Sequence, residues 1–165
     1  MGNPVDFAGD ASNLHLGPAS ITYNGKNLGY TLNDSVSIQV EQESTEILPD
    51  QSSLPVKDII TGMTLNVTMT LGEVTTANLD ILPGFSGGTL SDPMGTDLLT
   101  EAKELILYPL SDGDTNVYTF PKASPMMTGP IQFARTTPQG LELNFKCYFD
   151  SADGNALTVS QKSAE

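Results

Sequence analysis

The sequence predicts a mainly β fold, an antiparallel sandwich or barrel-like α+β domain, and three observations carry that expectation. Apolar and polar side chains alternate with period two through several short runs, of which MTLNVTMTL (63–71) is the clearest. Fifteen glycines and eleven prolines cut the chain into pieces too short for long helices. The clearest helical signature is one short stretch, in which Thr75 or Thr76 caps Ala77 to Leu82 before Pro83 and Gly84 end it.

At 165 residues the chain has the size of one domain, and 1–165 is read as a single unit. Residues 1–17 lack periodicity and read as an N-terminal arm that stops at Gly17-Pro18. ASITYN (19–24) turns at Asn24-Gly25, a hairpin signal, and resumes at Leu28 and Tyr30. SVSIQVEQE (35–43) alternates again, with Val36, Ile38 and Val40 on one face and Ser37, Gln39 and Glu41 on the other.

Residues 44–56 hold two prolines and two carboxylates, yet also Ile47, Leu48 and Leu54. The ordinary reading is a surface loop with a local apolar clip. A loop of this length without structure of its own is more often functional, which makes it a contact arm. After the helix, FSGGTLSDPMG reads as a Gly-rich loop, and Asp97 to Lys103 as a helical turn or a direct lead into the strand ELILYPL (104–110). SDGDTN then turns into VYTF (117–120) as a hairpin, and KASPMMTGPIQFART, broken by Pro125 and Pro130, reads as an irregular edge. LELNFKCYF (141–149) places Leu141, Leu143, Phe145, Cys147 and Phe149 inward. Asp153-Gly154-Asn155 turns into ALTVS, and 160–165 form a C-terminal tail.

A net charge of −13 and a pI near 4.1 argue against a grip on nucleic acid through phosphate neutralisation. The seven basic residues, Lys26, Lys57, Lys103, Lys122, Arg135, Lys146 and Lys162, are scattered singly. A lone Cys147 within an alternating strand excludes an internal disulfide and points to a buried thiol. The N-terminus lacks the basic and apolar regions of a secretory signal, and Asp6 breaks the myristoylation pattern. The apolar run at Leu105 to Leu110 is too short to span a bilayer.

Motifs for chemistry are incomplete. GFSGG (84–88) has the G-x-S-x-G spacing around Ser86, but it follows a helix, and the sole histidine, His15, precedes the serine. Asp112, Asp114 and Asn116 start a Ca²⁺-loop pattern, which lacks the central glycine and has Ala123 where the closing carboxylate belongs. Asn66-Val67-Thr68 is a glycosylation sequon in mid-strand. One His and one Cys cannot build a zinc site, and Glu41 with Glu43 lacks the apolar pocket that would split their pKa values. The residues therefore give no support for an enzyme, a metal or a cofactor.

Three segments in order resemble the major tail tube proteins of tailed bacteriophages. They are GPASITYNGKNLGYT, the long run from SVSIQVEQ through TEILPDQSSLPVKDIITGMTLNVTMTLGEVTTANLDILPG, and GLELNFKCYFD. The family pattern is carried by Gly29-Tyr30-Thr31, Asp50-Gln51, Gly62, and the series Glu73-Val74-Thr75-Thr76-Ala77-Asn78-Leu79. The likeness covers roughly residues 17 to 150. It implies two packed antiparallel β-sheets with one short flanking helix, six copies closing into a ring, and rings stacking into a hollow tail tube that conducts the genome. On that resemblance the 44–56 segment, with Ile47, Leu48, Pro49, Asp50, Gln51 and Leu54, reaches a neighbouring copy, while Glu41, Glu142 and Asp150 are candidates for charge on the channel wall. Implied partners are further copies of the chain, tape-measure, tail-terminator and baseplate or tip proteins, and DNA in non-binding passage, with a sheath left open. The implied setting is a virion tail assembled in the bacterial cytoplasm, without a membrane. Two alternatives are the tube of a contractile bacterial injection or secretion system and a monomeric β-sandwich binding or adhesion module.

Overall fold

The computed structural model describes residues 18–32, 34–110 and 116–161. Its elements are β1 (Ala19–Tyr23), β2 (Lys26–Asn27), β3 (Ser37–Ile47), β4 (Lys57–Leu71), α1 (Thr76–Leu79), β5 (Phe85–Ser86), β6 (Thr89–Leu90), β7 (Lys103–Pro109), β8 (Asn116–Met127), β9 (Leu141–Tyr148) and β10 (Thr158–Gln161). Eight strands form one antiparallel sheet in the order β2-β1-β7-β8-β9-β4-β3, with β10 also on β8, and β5-β6 form a small second sheet. The order is open at both ends, so the protein is mainly β and sandwich-like, and no barrel closes.

The sandwich arises because β8 serves both halves of the sheet. Its first half, from Asn116 to Thr119, pairs with β10, while Lys122 to Met127 pairs with β9. The sheet folds over a core in which Ile21, Tyr23, Leu105 and Leu107 of β1 and β7 join Val67, Met69, Leu143 and Phe145 of β4 and β9. The rings of Tyr23 and Phe145 lie 5.2 Å apart, and the Tyr23 hydroxyl donates to the Ala123 carbonyl at 3.0 Å. Period-two patterning thus ends in burial, with Leu65, Val67, Met69 and Leu71 inward on β4 and Leu141, Leu143, Phe145 and Cys147 inward on β9.

Local chemistry fixes the turns. Asn24 and Gly25 both take positive φ, 49° and 76°, as a two-residue hairpin between β1 and β2 requires. Thr75 caps α1 by accepting from the Asn78 N–H. Asn78 itself is buried, and its side-chain amide donates to the carbonyls of Leu28 at 3.0 Å and Glu73 at 2.8 Å, which ties the helix to the first hairpin. Gly29 has φ +87°, a left-handed conformation that favours glycine and brings the backbone under the Glu73 carboxylate.

Several expectations need correction. The helix is one turn, Thr76–Leu79, because Asp80 already caps it, and Ile81 and Leu82 turn down onto the core. FSGGTLSDPMG is not all loop, since Phe85 pairs with Leu90 and Ser86 with Thr89 across a Gly87-Gly88 turn. Lys122 to Met127 is regular strand, with Pro125 opposite Phe145; β7 does not accompany β8 past Ala123, so the proline stands where its strand has one neighbour. Phe149 falls beyond the end of β9 and is exposed, and Ser160 and Gln161 belong to β10 and not to a tail. The 44–56 segment is half strand, as described below. The expected arm at 1–17, with His15, the carboxylates Asp112 and Asp114, and residues 162–165 lie outside the described residues.

Two buried acids make the core sensitive to alkali. Burial raises the Cys147 thiol from 9.0 to about 12. Burial likewise raises the Tyr23 phenol from 10.0 to about 12, with a backbone hydrogen bond at Lys103 opposing and the Glu101 charge adding. Each group holds its proton more tightly folded than unfolded, so unfolding free energy should be flat below pH about 9 and fall as pH rises towards about 12. Urea unfolding across that range checks this, and the Cys147→Ala, Tyr23→Phe double variant should flatten the slope. Native Cys147 should resist a thiol reagent at pH 8 and react once the chain is unfolded.

Candidate functional site

The feature that stands apart from the folded body is the β3-β4 hairpin. Both strands pair along their length, from Ser37 opposite Thr68 to Ile47 opposite Lys57. On its other side β4 meets β9 over Leu65 to Leu71 only. The far half of the hairpin, Glu41–Ile47 with Lys57–Thr61, is therefore a two-stranded ribbon exposed on both faces.

The loop expected at 44–56 is shorter than its sequence indicates. Ser44 to Ile47 continue β3, and the connecting segment is 48–56. It is closed by the Val56 N–H donating to the Ile47 carbonyl at 3.0 Å and by Ser52, whose N–H donates to the Pro49 carbonyl and whose hydroxyl caps Leu54. Asp50 and Gln51 form the exposed tip, and Pro49 is half-buried. Leu48 and Leu54 stand exposed, Leu54 at 71%.

More apolar surface lies on the ribbon than the loop residues alone reveal. A bulge between Glu43 and Ser44 leaves Thr61 without an opposite residue, so Gly62 faces Glu43 and Ile60 faces Ser44. This phase change keeps Ile60 on the face that carries Met63 and Leu65. Val40 at 51%, Met63 at 41% and Ile60 at 63% extend the core-facing stripe of β4 into solvent, with exposed Phe149 beside Val40 and Met63 at its base. The adjacent pair Ile59-Ile60 conceals this in the sequence by breaking the alternation. The signal that could have exposed it is Gly62, a glycine inside a strand pattern.

The opposite, polar face of β3-β4-β9 gathers the residues expected on a channel wall. Register places Gln39, Asn66 and Lys146 in one row, Ser37, Thr68 and Asn144 in a second, and Thr70 beside Glu142. Glu41 lies on this face opposite Thr64 and accepts from the Gln39 amide at 2.8 Å. Glu142 shares the face, its carboxylate filling the space where a Gly129 side chain would be. Asp150 does not join them. It sits past the end of β9, accepts from the Ala152 N–H and lies 3.9 Å from Lys122. The face thus presents mostly hydroxyls and amides, with Glu41, Glu43 and Glu142 partly offset by Lys146. The Asn144 Oδ1 has no hydrogen-bond partner among the described residues.

The acidity concentrates on the hairpin. Residues 41–58 contain Glu41, Glu43, Glu46, Asp50 and Asp58 against one cation, Lys57. Glu46 stands directly opposite Asp58, an arrangement of like charges that weakens a strand pair.

Other surfaces carry less chemistry. Ser86 lies in β5 of the small hairpin, whose Gly87 and Gly88 N–H groups donate to the Asp80 carboxylate. A cleft between the sheet halves, lined by Val36, Ile38, Leu107, Tyr118 and Leu157, has Asp34 at its rim. Among the described residues no group of three or more His, Cys, Asp and Glu is placed to hold a metal ion, and no helix is long and apolar enough to cross a membrane. No protein-family model matches the chain, and no curated protein gives a significant match.

The hairpin's far half should open independently of the body. Amide exchange at Ser44–Ile47 and Lys57–Thr61 is expected to be on the order of a hundredfold or more faster than at Leu65–Leu71, since one set opens locally and the other with the core. Native-state hydrogen exchange on dilute protein measures the difference.

Proposed function

We propose that this chain is a structural protein of a phage tail tube, polymerising as stacked rings into a hollow conduit for DNA. The observation that carries the reading is the β3-β4 hairpin, a strand pair built out of the body with Val40, Ile47, Leu48, Leu54, Val56, Ile60 and Met63 all exposed. Apolar side chains on a ribbon that packs on nothing gain little from folding alone and much from burial against a neighbour. The open edges of the sheet support the same reading. Among the described residues β3 is an eleven-residue edge strand with no partner on its outer side, and pairing with another copy would satisfy its outer backbone groups. A mainly β sandwich with one short helix fits the resemblance of the sequence to tail tube proteins.

In the assembled ring the polar face of β3-β4-β9 lines the channel. A wall of threonines, asparagines and glutamine without a cation cluster releases few counterions from DNA, so the phosphate backbone gains nothing by adhering. Glu41, Glu43 and Glu142 add repulsion, while Asp150, held near Lys122, contributes little. Assembly takes place in the bacterial cytoplasm, alongside tape-measure, terminator and baseplate or tip proteins, and DNA crosses without being bound.

Electron microscopy of the purified protein at increasing concentration tests this. Hollow rods or six-fold rings are expected, and particles that stay single under all conditions overturn the proposal. Leu48→Asp should abolish assembly while leaving the unfolding free energy within about 0.5 kcal/mol of the parent, because Leu48 touches no core. Normal tubes from that variant would remove the hairpin from the interface.

A further inference from the structure

We infer that the hairpin of one copy docks on the 128–139 loop of the next copy, with Phe133 against its apolar residues and Arg135 against Glu46 and Asp58. The inference rests on the tube reading and names the surface that the hairpin meets.

The 128–139 loop connects β8 to β9 and is held at its ends by the Thr128 N–H donating to the Glu142 carbonyl and by Ile131, half-buried against the core. Between these anchors and β9 it projects Phe133, which is 85% exposed, and Arg135, the one arginine of the chain. No carboxylate occurs from Thr128 to Gly140, and among the described residues Arg135 has no ion pair. An exposed aromatic ring beside a guanidinium is a combination that anchors interfaces, since the ring supplies area and the planar fork spans two carboxylates.

The hairpin supplies the complement. Its tip region offers Leu48, Leu54, Val56 and Ile60, and its cross-strand pair Glu46 and Asp58 presents two carboxylates side by side on an exposed ribbon. Within the described chain the Ser44 hydroxyl donates to Asp58 at 3.4 Å, and no cation reaches either carboxylate. A guanidinium there would turn a repulsive pair into a bridged one.

Geometry forbids the contact within one chain. Lys57 begins β4 at the hairpin, while Met69 and Leu71 at its other end stand in register with Leu143 and Leu141, and Leu143 with Met127, at the two feet of the 128–139 loop. Fifteen residues of strand separate the two features, about 45 Å of extended backbone. Complementary patches at opposite ends of one strand make a heterologous contact, which repeats head to tail from copy to copy. Hairpin on hairpin is disfavoured, because it brings the carboxylates of both copies together. The contact therefore joins unlike surfaces of neighbouring copies, and the length of β4 sets the spacing between the two surfaces on each copy.

Arg135→Glu and Phe133→Ala, both at exposed positions, should leave the thermal melt of the subunit unchanged and lower the sedimentable, rod-assembled fraction by about tenfold or more. Arg135→Glu combined with Asp58→Arg in the same chain should restore rods. A second measurement is independent of these variants: Leu48→Cys chains mixed with Phe133→Cys chains should form disulfide-linked heterodimers on oxidation, with buried Cys147 silent. Rods of normal length from both single variants, or assembled tubes without the crosslink, overturn the inference and leave the tube reading standing. Wild-type protein that never assembles overturns both.

Discussion

The structure depends on a mismatch of lengths around β4. This strand has fifteen residues, and β3 accompanies it to its first residue, but β9 ends at Tyr148 and gives it a second neighbour only from Leu65 onward. One continuous strand is thereby divided into a buried half and a bare half. The buried half draws its stability from the core, where Val67, Met69 and Leu71 pack against Phe145, Leu143 and residues of the opposing sheet half. The bare half holds its shape through hydrogen bonds to β3 alone, and an isolated pair of strands is marginally stable in water. Continuity with the buried half keeps the ribbon in register. The core thus positions side chains that it does not cover.

How much of this could be read from residues follows the same division. Where a face is buried, alternation is strict, and the strands at 63–71, 104–110 and 141–149, the Asn24-Gly25 turn and the capped turn at Thr75 are legible. Their causes are local sterics and one-sided burial. The motif residues are legible for a further reason, since Gly29 is favoured by its positive φ, and Asn78 by the two carbonyls it satisfies. Where no face is buried, the pattern loses its constraint. Ser44 to Ile47 and Lys57 to Gly62 were free to hold charges, an isoleucine pair and a bulge, so a strand took on the composition of a loop. Pro125 misleads in the opposite direction, because the missing N–H of a proline matters only where a second strand would receive it. The loop residues Phe133 and Arg135 carry no periodic signal at all. Their relevance comes from exposure and from their position at the foot of β4, which only the register discloses.

The distribution of charge refines what an acidic composition means. A net −13 invites the picture of a uniformly repelling wall, yet hydroxyls and amides dominate the polar face of β3-β4-β9, where Glu41, Glu43 and Glu142 accompany Lys146, and five of the twenty acidic residues fall within 41–58. Hydroxyl and amide side chains on a sheet face offer hydrogen bonds that water can replace, and they attract neither phosphate nor its counterions strongly. Such a surface permits passage without needing strong repulsion. The concentrated acidity on the ribbon has a different consequence, which concerns copies of the chain instead of DNA.

A protein that polymerised as proposed would have to avoid doing so wrongly. A bare ribbon with an apolar stripe is the kind of edge that pairs indiscriminately, and natural edges are protected by charge, by proline and by bulges. This one has all three: the carboxylates from Glu41 to Asp58, Pro49 and Pro55 at the tip, and the bulge at Thr61. Two ribbons approaching each other would each bring Glu46 and Asp58 to the contact, and the sum of four carboxylates at one junction opposes the apolar gain. A surface that supplies a cation with its apolar group removes that opposition. Because the ribbon is already paired and in register, binding orders few new residues, so most of the burial energy is retained on contact. In the proposed assembly, electrostatic exclusion of the like surface, and not a stronger attraction to the unlike one, would then select head-to-tail growth.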